Sequence, residues 1–245
     1  MSGSQPHAVE EKRAADAAGV ARQVSVCHIA SGDLWAGAEV QVAALLRRLS
    51  SDPAITLRAI LLNEGRLAEE LRRLGLPLLV VPESEFGFFE IGHRSAEWLA
   101  SSPVQVIHSH RYKENLLAAL LARRCEVPYL VRTQHGLQEP VRGYRSAKHR
   151  VIHCLDRLVG RQTADRVIAV SREMQPHLVA RFGRAKVTLI PNGIEASEVY
   201  SGLSVAQAKE HLGIAPTATV VGTAGRLRPI KRLDLFLSAA SKIVE

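Results

Sequence analysis

The stretch VQVIHSHRYKENLLAALLARRCEVPYLVRTQHG, residues 104–136, sets two short apolar runs on either side of a longer one. VQVIHSH (104–110) and PYLVRTQHG (128–136) have strand length and lack a strict polar–apolar alternation. That pattern suits strands buried on both faces. ENLLAALLARRC (114–125) has helix length and is apolar almost all round. Strand, helix, strand at this spacing is the unit of a parallel sheet with a crossover helix.

The same unit recurs on both sides. Upstream come the strands VSVCHIA (24–30), ITLRAILLN (55–63) and PLLVVP (77–82). Helices AEVQVAALLRRLS (38–50) and GRLAEELRRLG (65–75) separate them, with Gly75 as the helix stop. Downstream come a long basic helix over 145–164, the strand DRVIAVS (165–171), a helix ending at Gly183 and the strand KVTLIPNGI (186–194). Helices alternating with buried strands predict an α/β fold, a doubly wound parallel sheet with helices on both faces. Residues 1–22 are polar and Ala-rich and read as a flexible tail, and 23–195 read as the sheet domain. Residues 196–216 read as a linker, and 217–245 as a further strand (219–227) leading into a terminal helix.

Composition narrows the classes. Lys and Arg number 32 against 24 Asp and Glu, a net charge of +8 that favours an anionic partner. Aromatics make up 4 % with no stacking motif, which argues against nucleic acid. No apolar run reaches the roughly 18 residues of a membrane span, and the amino terminus lacks the apolar segment of a secretion signal. Cys27, Cys125 and Cys154 are far apart and lie in apolar segments. They read as core residues of a reducing compartment rather than as a disulfide framework or a zinc site.

In a doubly wound sheet, ligands sit at the carboxyl ends of the strands. Gly37 and Glu39 follow the first strand, where a helix N-terminus also suits an anion. There is no G-x-G-x-x-G and no G-x-x-x-x-G-K-[ST], so neither a dinucleotide nor a P-loop site is expected. His108 and His110 share one strand face, yet no third ligand of fitting type is near in sequence, so no metal is expected. One of the two is expected to pack or to bond to backbone, and His110 to face the ligand edge. His135 ends another strand beside Gly136, whose backbone is free to bend. Histidine moves protons near neutral pH, which makes His135 the catalytic candidate. Asn192 sits in an N-G turn at the last strand end. GRLRPIKR (225–232) places Arg226 and Lys231 before a helix, where a fork and a point charge together suit a diphosphate. Each feature also has a plainer reading: a tight turn at Gly37, a structural imidazole at His135, an exposed basic turn at 225–232.

Taken in order, WAGAE (35–39), HSH (108–110), QHG (134–136), DRVIAVS (165–171), VTLIPNGIE (187–195) and VVGTAGRLRPIKRLDLFLSAA (220–240) resemble the retaining glycosyltransferases of family 4. The resemblance runs from about Val24 to the end of the chain. It implies the GT-B fold, two Rossmann-like domains facing each other, with 23–195 as the acceptor-side domain. It also implies transfer of a sugar from a nucleotide-diphosphate sugar, as co-substrate and without a cofactor, to a cell-envelope glycan or lipid-linked acceptor. By the family pattern, His135 would contact the transferred sugar at the reacting centre. Gly37 would lie near donor phosphates and acceptor, with Ala36 where many members have a second Gly. His110 would line the acceptor side, Gly136 and Asn192 would belong to the substrate site, and Arg226 and Lys231 would grip the donor diphosphate.

The family's acidic E-x7-E motif does not follow Lys231. The expectation is therefore a truncated donor domain, with no sugar transfer by these 245 residues alone. Two other readings stand beside it: an acceptor-binding subunit of a split transferase, and a non-enzymatic binder of anionic membrane surfaces. For the last, Arg145, Lys148, Arg150, Arg157 and Arg161 of the basic helix would supply the charge. The expected place is the cytoplasm, with peripheral contact at the inner face of the membrane.

Overall fold

The computed structural model describes residues 23–136, 145–225, 227 and 229–244. The tail assigned to 1–22 and the position of Arg226 lie outside the described residues.

Seven strands form one sheet: β1 (Val24–Ala30), β2 (Ile55–Leu61), β3 (Leu78–Val80), β4 (Val106–Ser109), β5 (Tyr129–Gln134), β6 (Arg166–Ala169) and β7 (Val187–Leu189). All pairings are parallel, in the order β3-β2-β1-β4-β5-β6-β7. Parallel neighbours need crossovers, and the helices supply them. These are α1 (Gly37–Leu49), α2 (Arg66–Arg73), α3 (Phe88–Ala100), α4 (Tyr112–Arg124), α5 (Arg145–Thr163) and α6 (Met174–Phe182). The expected doubly wound sheet is therefore present. The chain builds outward from β1 to β3, then returns to lay β4 on the other side of β1. The switch point of the sheet is thus the gap between the carboxyl ends of β1 and β4.

The residue pattern explains the layers. Alternate residues of a strand face opposite sides. Cys27, Ile29, Ile107 and Leu130 pack with Leu99 of α3 and Leu117 and Leu121 of α4. Leu57, Ala59 and Leu61 pack with Val42 and Leu46 of α1 and Leu67 and Leu71 of α2. A third cluster joins Val167, Ala169 and Val187 to Met174, Leu178 and Phe182 of α6. Each such fully buried Leu, Ile or Phe contributes roughly 1.5–3 kcal/mol of transfer free energy.

One polar network runs through this core. Asp156 of α5 accepts hydrogen bonds from Arg132 of β5 (2.5 Å), Arg181 of α6 (2.9 Å) and Asn115 of α4 (3.2 Å). Asn115 in turn accepts from the Ser109 hydroxyl of β4 (2.7 Å). Asp156 and Arg132 are both buried, so each depends on the other to offset its desolvation.

The structure departs from the sequence reading in three places. Helix α3, absent from the strand–helix pattern above, fills the crossover between β3 and β4. It buries Ile91, Ala96 and Leu99, which share one helix face. Residues 219–225 form no strand. A strand exists only by pairing, and among the described residues of the second unit there is no strand to pair with; residues 219–225 are exposed. Cys154 is exposed on the outer face of α5 and Cys125 is half-buried, so only Cys27 is a true core thiol. Burial pushes the Cys27 thiol up to about 12.

Two compact units divide the chain, Met1–Glu195 and Ala196–Glu245. In the second, α7 (Ala196–Val199), α8 (Val205–His211) and α9 (Leu233–Val244) are the α-helices among the described residues. Helix α8 is held locally: the Ser204 side chain accepts from the Gln207 backbone while the Gln207 side chain accepts from Ser204. No described residue of this unit is buried.

Candidate functional site

The site is built at the switch point, from the ends of β1, β4 and β5. His28 of β1 is the register partner of His108 of β4, which pairs in turn with Val131 of β5. The two-residue period of the strands then places His28, His108, His110, Thr133 and His135 on one face. Four imidazoles result, stacked or tilted against one another, with ring centroids 4.4 Å apart for His108 and His110 and 5.3 Å for His110 and His135.

Their contacts are specific. His28 Nδ1 lies 3.1 Å from His110 Nε2, and His110 Nδ1 lies 3.1 Å from His135 Nε2. His108 Nε2 bonds to the Thr133 hydroxyl at 2.7 Å. Burial drives all four below the ordinary imidazole value, His28 to about 3 and His135 to about 4. For His108 and His110, burial acts first and neighbouring imidazoles add to it. For His135, the Arg111 guanidinium adds to the effect. All four rings are therefore neutral at pH 7.

The loop after β1 forms the other wall. It is pinned by two close backbone approaches. A Cβ on Gly32 would stand 2.9 Å from the Asn63 carbonyl oxygen, and one on Gly65 would stand 2.6 Å from the Gly32 carbonyl oxygen. Both glycines have positive φ, 89° and 148°. The loop leads into α1, which opens at Gly37 with no side chain capping it from Ala36. A Cβ at Gly37 would meet no described atom within 4 Å, and Gly37 is exposed. Buried Glu39, in the first turn, accepts a bond from Arg111, which directly follows His110. Arg111 also lies 3.8 Å from the Asp33 carboxylate.

The sequence-derived residues fall into three groups. Gly37, His110, His135 and Gly136 come together at this edge. His110 is 3 % exposed and is sandwiched between His28 and His135, so it does not itself face the ligand edge as expected. The physical reason is that both of its nitrogens are satisfied by other imidazoles. His108 is buried and packs against the His28 and His110 rings, with its Nε2 bonded to the Thr133 hydroxyl. Exposed Asn192 follows β7, two strands over from β5, which is roughly 10 Å across the sheet. Lys231 ends a 3-10 turn (Pro229–Lys231) in the second unit and is exposed. Sequence reading missed His28 and Arg111. His28 lies within an apolar run and is exposed as a partner only by register. Arg111 could have been found, being a cation placed directly after a strand on the ligand edge.

His28, His108 and His110 bring one ring nitrogen each within 4.8 Å of one another, which would let them hold a metal ion. A cation there would displace one of the two bonds that His110 makes to other imidazoles. It would also bring its charge into a buried cluster that contains no carboxylate. A cavity of about 380 Å³ lies at the opposite, amino edge of the sheet, between the ends of α3 and α4. Pro103, Val104, Arg124 and Val127 are among its lining residues.

Residues 35–198 match Glycosyltransferase Family 4. The chain belongs to glycosyltransferase family 4. This stretch covers the site from Trp35 through β7. Among curated relatives, the D-inositol 3-phosphate glycosyltransferase of Kribbella flavida is 32 % identical over 146 residues, 57 % of this chain and 34 % of the relative. That of Segniliparus rotundus is 29 % identical over 160 residues, 63 % of this chain and 34 % of the relative. The chain thus spans about a third of the length of these relatives. Among solved structures, Anabaena HepE in complex with UDP and glucose superposes with a TM-score of 0.71 over 90 % of this chain and 58 % of HepE, at 17 % identity. That likeness establishes the fold, a Rossmann-like half of the GT-B arrangement. Among the described residues of this family 4 chain, no helix is long and apolar enough to cross a membrane.

Proposed function

We propose that the carboxyl edge of this sheet is the acceptor side of a site that transfers a sugar from a nucleotide-diphosphate sugar. The observation that carries the reading is the convergence of His135, Arg111 and the uncapped start of α1 at Gly37 on the switch point. In the reaction, the bond from the anomeric carbon to the diphosphate breaks and a bond to an acceptor oxygen forms. The electron pair of the broken bond stays on the departing diphosphate oxygen, and the acceptor hydroxyl gives its proton to that leaving group. His135 would contact the transferred sugar, while Gly136 and the backbone at Gly37 complete its surroundings. His110 acts behind His135, and Asn192 lines the substrate farther along the edge. Arg226 and Lys231 would hold the diphosphate, stabilising the charge that develops as it leaves. The nucleotide sugar is a co-substrate, and no cofactor enters the scheme.

The acceptor class we favour is a cell-envelope or lipid-linked glycan. The names of the relatives add inositol phosphate to the acceptors to be tested, and HepE's ligands add UDP-glucose to the donors. The test is sugar transfer by residues 1–195 fused to the remaining part of the Kribbella relative. A glycosylated product seen by mass spectrometry supports the reading. No product from any donor–acceptor pair, while the intact relative works in the same mixture, counts against it.

Peripheral membrane contact at the inner face is part of the proposal. Helix α5 exposes Val151, Leu155 and Leu158 at helical spacing, with exposed Arg157 and Arg161 on the same helix. Such a face suits an anionic bilayer surface. Co-sedimentation with vesicles should require anionic lipid and weaken with salt; equal binding to neutral vesicles would dismiss it.

A further inference from the structure

The chain is basic overall, with a net charge of +8, yet two cations at the carboxyl edge are already committed to carboxylates. Arg111 is bonded to Glu39 and lies near Asp33. Lys113, in the first turn of α4, donates to Glu83 at 2.7 Å. On its other oxygen Glu83 accepts from the Asn63 side-chain amide at 3.2 Å. The same amide nitrogen donates to the Ser31 hydroxyl at 3.4 Å. Ser31, Asn63 and Glu83 closely follow β1, β2 and β3, so one hydrogen-bonded string crosses the ends of four neighbouring strands, β3-β2-β1-β4. Backbone contacts hold it in place. The Glu83 N–H donates to the Leu62 carbonyl at 2.8 Å, and the Gly32 backbone abuts that of Asn63.

The partners in this string fix what it offers. An ionised carboxylate only accepts hydrogen bonds, so Asn63 must aim its NH₂ at Glu83 and turn its carbonyl oxygen the other way. Lys113 has three N–H groups and uses one on Glu83, which also offsets its charge. The string therefore carries an acceptor at half-buried Asn63 and donors at exposed Lys113. A hydroxyl group both accepts and donates, and so matches such a pair. A phosphate dianion only accepts, and it would meet the Asn63 oxygen and the Glu83 charge with repulsion. We infer that this string is a subsite for the hydroxyls of a neutral sugar or polyol, and that Glu83 bars phosphate from it. Glu83 is thus a specificity-determining residue. That the polyol is the acceptor of a sugar transfer rests on the function proposed above; the choice of hydroxyl over phosphate does not.

The test is an NMR titration of the ¹⁵N-labelled full chain at neutral pH and constant ionic strength. Myo-inositol, methyl α-glucoside and inorganic phosphate are added in turn, and the signals read are the Asn63 side-chain amide and the Ser31 and Lys113 backbone. At least one of the two polyols should shift these signals saturably. Phosphate should bind there more weakly by roughly tenfold or more, about 1.4 kcal/mol. Glu83→Gln removes the charge but keeps an oxygen that accepts, and should tighten phosphate at these signals roughly tenfold, with a smaller change for the polyol. Phosphate binding at the wild-type string as tightly as the polyol overturns the inference, as does the lack of any polyol shift there. Both of those outcomes are read without a variant. Unchanged phosphate binding in a folded Glu83→Gln chain overturns the role of Glu83. Because the titration needs neither donor nor turnover, it fails or succeeds separately from the sugar-transfer assay.

Discussion

At the scale of residues, the cost of neutral buried histidine should govern the pH response. Free imidazoles take up protons below about pH 6.5. His28 and His135 resist until about 3 and about 4, and His108 and His110 are also held low. The unfolded chain therefore binds more protons on acidification, so stability is complete above about pH 6.5 and is lost as pH falls towards 4. Each ring contributes a slope of about 1.4 kcal/mol per pH unit in that window. Buried Glu114 opposes this trend. Its carboxyl is pushed up to about 7 by burial, so its contribution is favourable at low pH and is lost as pH rises through 7. Four groups outweigh one. Urea unfolding at pH 7 and pH 5 should show a drop of several kcal/mol; equal midpoints would contradict the buried neutral cluster. His135, Gly37 and Glu39 were legible in the sequence because position after a strand is a local property. His28 was not, because its partners lie 80 residues away and meet it only through sheet register.

At the scale of elements, α5 is held against β5 and α6 by contacts that leave no room for one methyl group. A Cβ at Gly160 would stand 1.7 Å from Arg132 Nη1 and 2.9 Å from Phe182 Cε1. Gly160→Ala must therefore displace Arg132 from buried Asp156. Alanine gains about 1 kcal/mol in helix propensity. Overpacking costs about 1–3 kcal/mol and breaking a buried pair about 3–5 kcal/mol. The expected outcome is a net loss of at least about 2 kcal/mol in chemical denaturation. Gly87→Ala, at a helix cap with nothing within 4 Å, should be nearly neutral. A neutral Gly160→Ala would show that α5 does not pack as described. Strand and helix order up to β7 followed from apolar runs and their spacing. Helix α3 escaped because FFEIGHRSAEWLA mixes its apolar residues with charged ones, and only packing reveals its buried face. The run 219–227 has strand character, but its described residues lack the neighbour that would make it one.

At the scale of the whole molecule, one sheet supports two different edges. The carboxyl edge gathers neutral imidazoles, Arg111 and an open helix start; the amino edge offers a cavity beside Arg124 and Val127. Membership of glycosyltransferase family 4 and the doubly wound topology both favour the first as the ligand face. The most direct measurement is an amide chemical-shift map of the full chain titrated with candidate acceptors: inositol phosphate, soluble glycan and a short-chain lipid-linked sugar. The account predicts that the acceptor that binds shifts Gly37, Arg111, His135 and Gly136, and that His135→Ala weakens its binding at least tenfold, about 1.4 kcal/mol. Shifts confined to the amino edge around residues 124–127, or binding unchanged in His135→Ala, would contradict it.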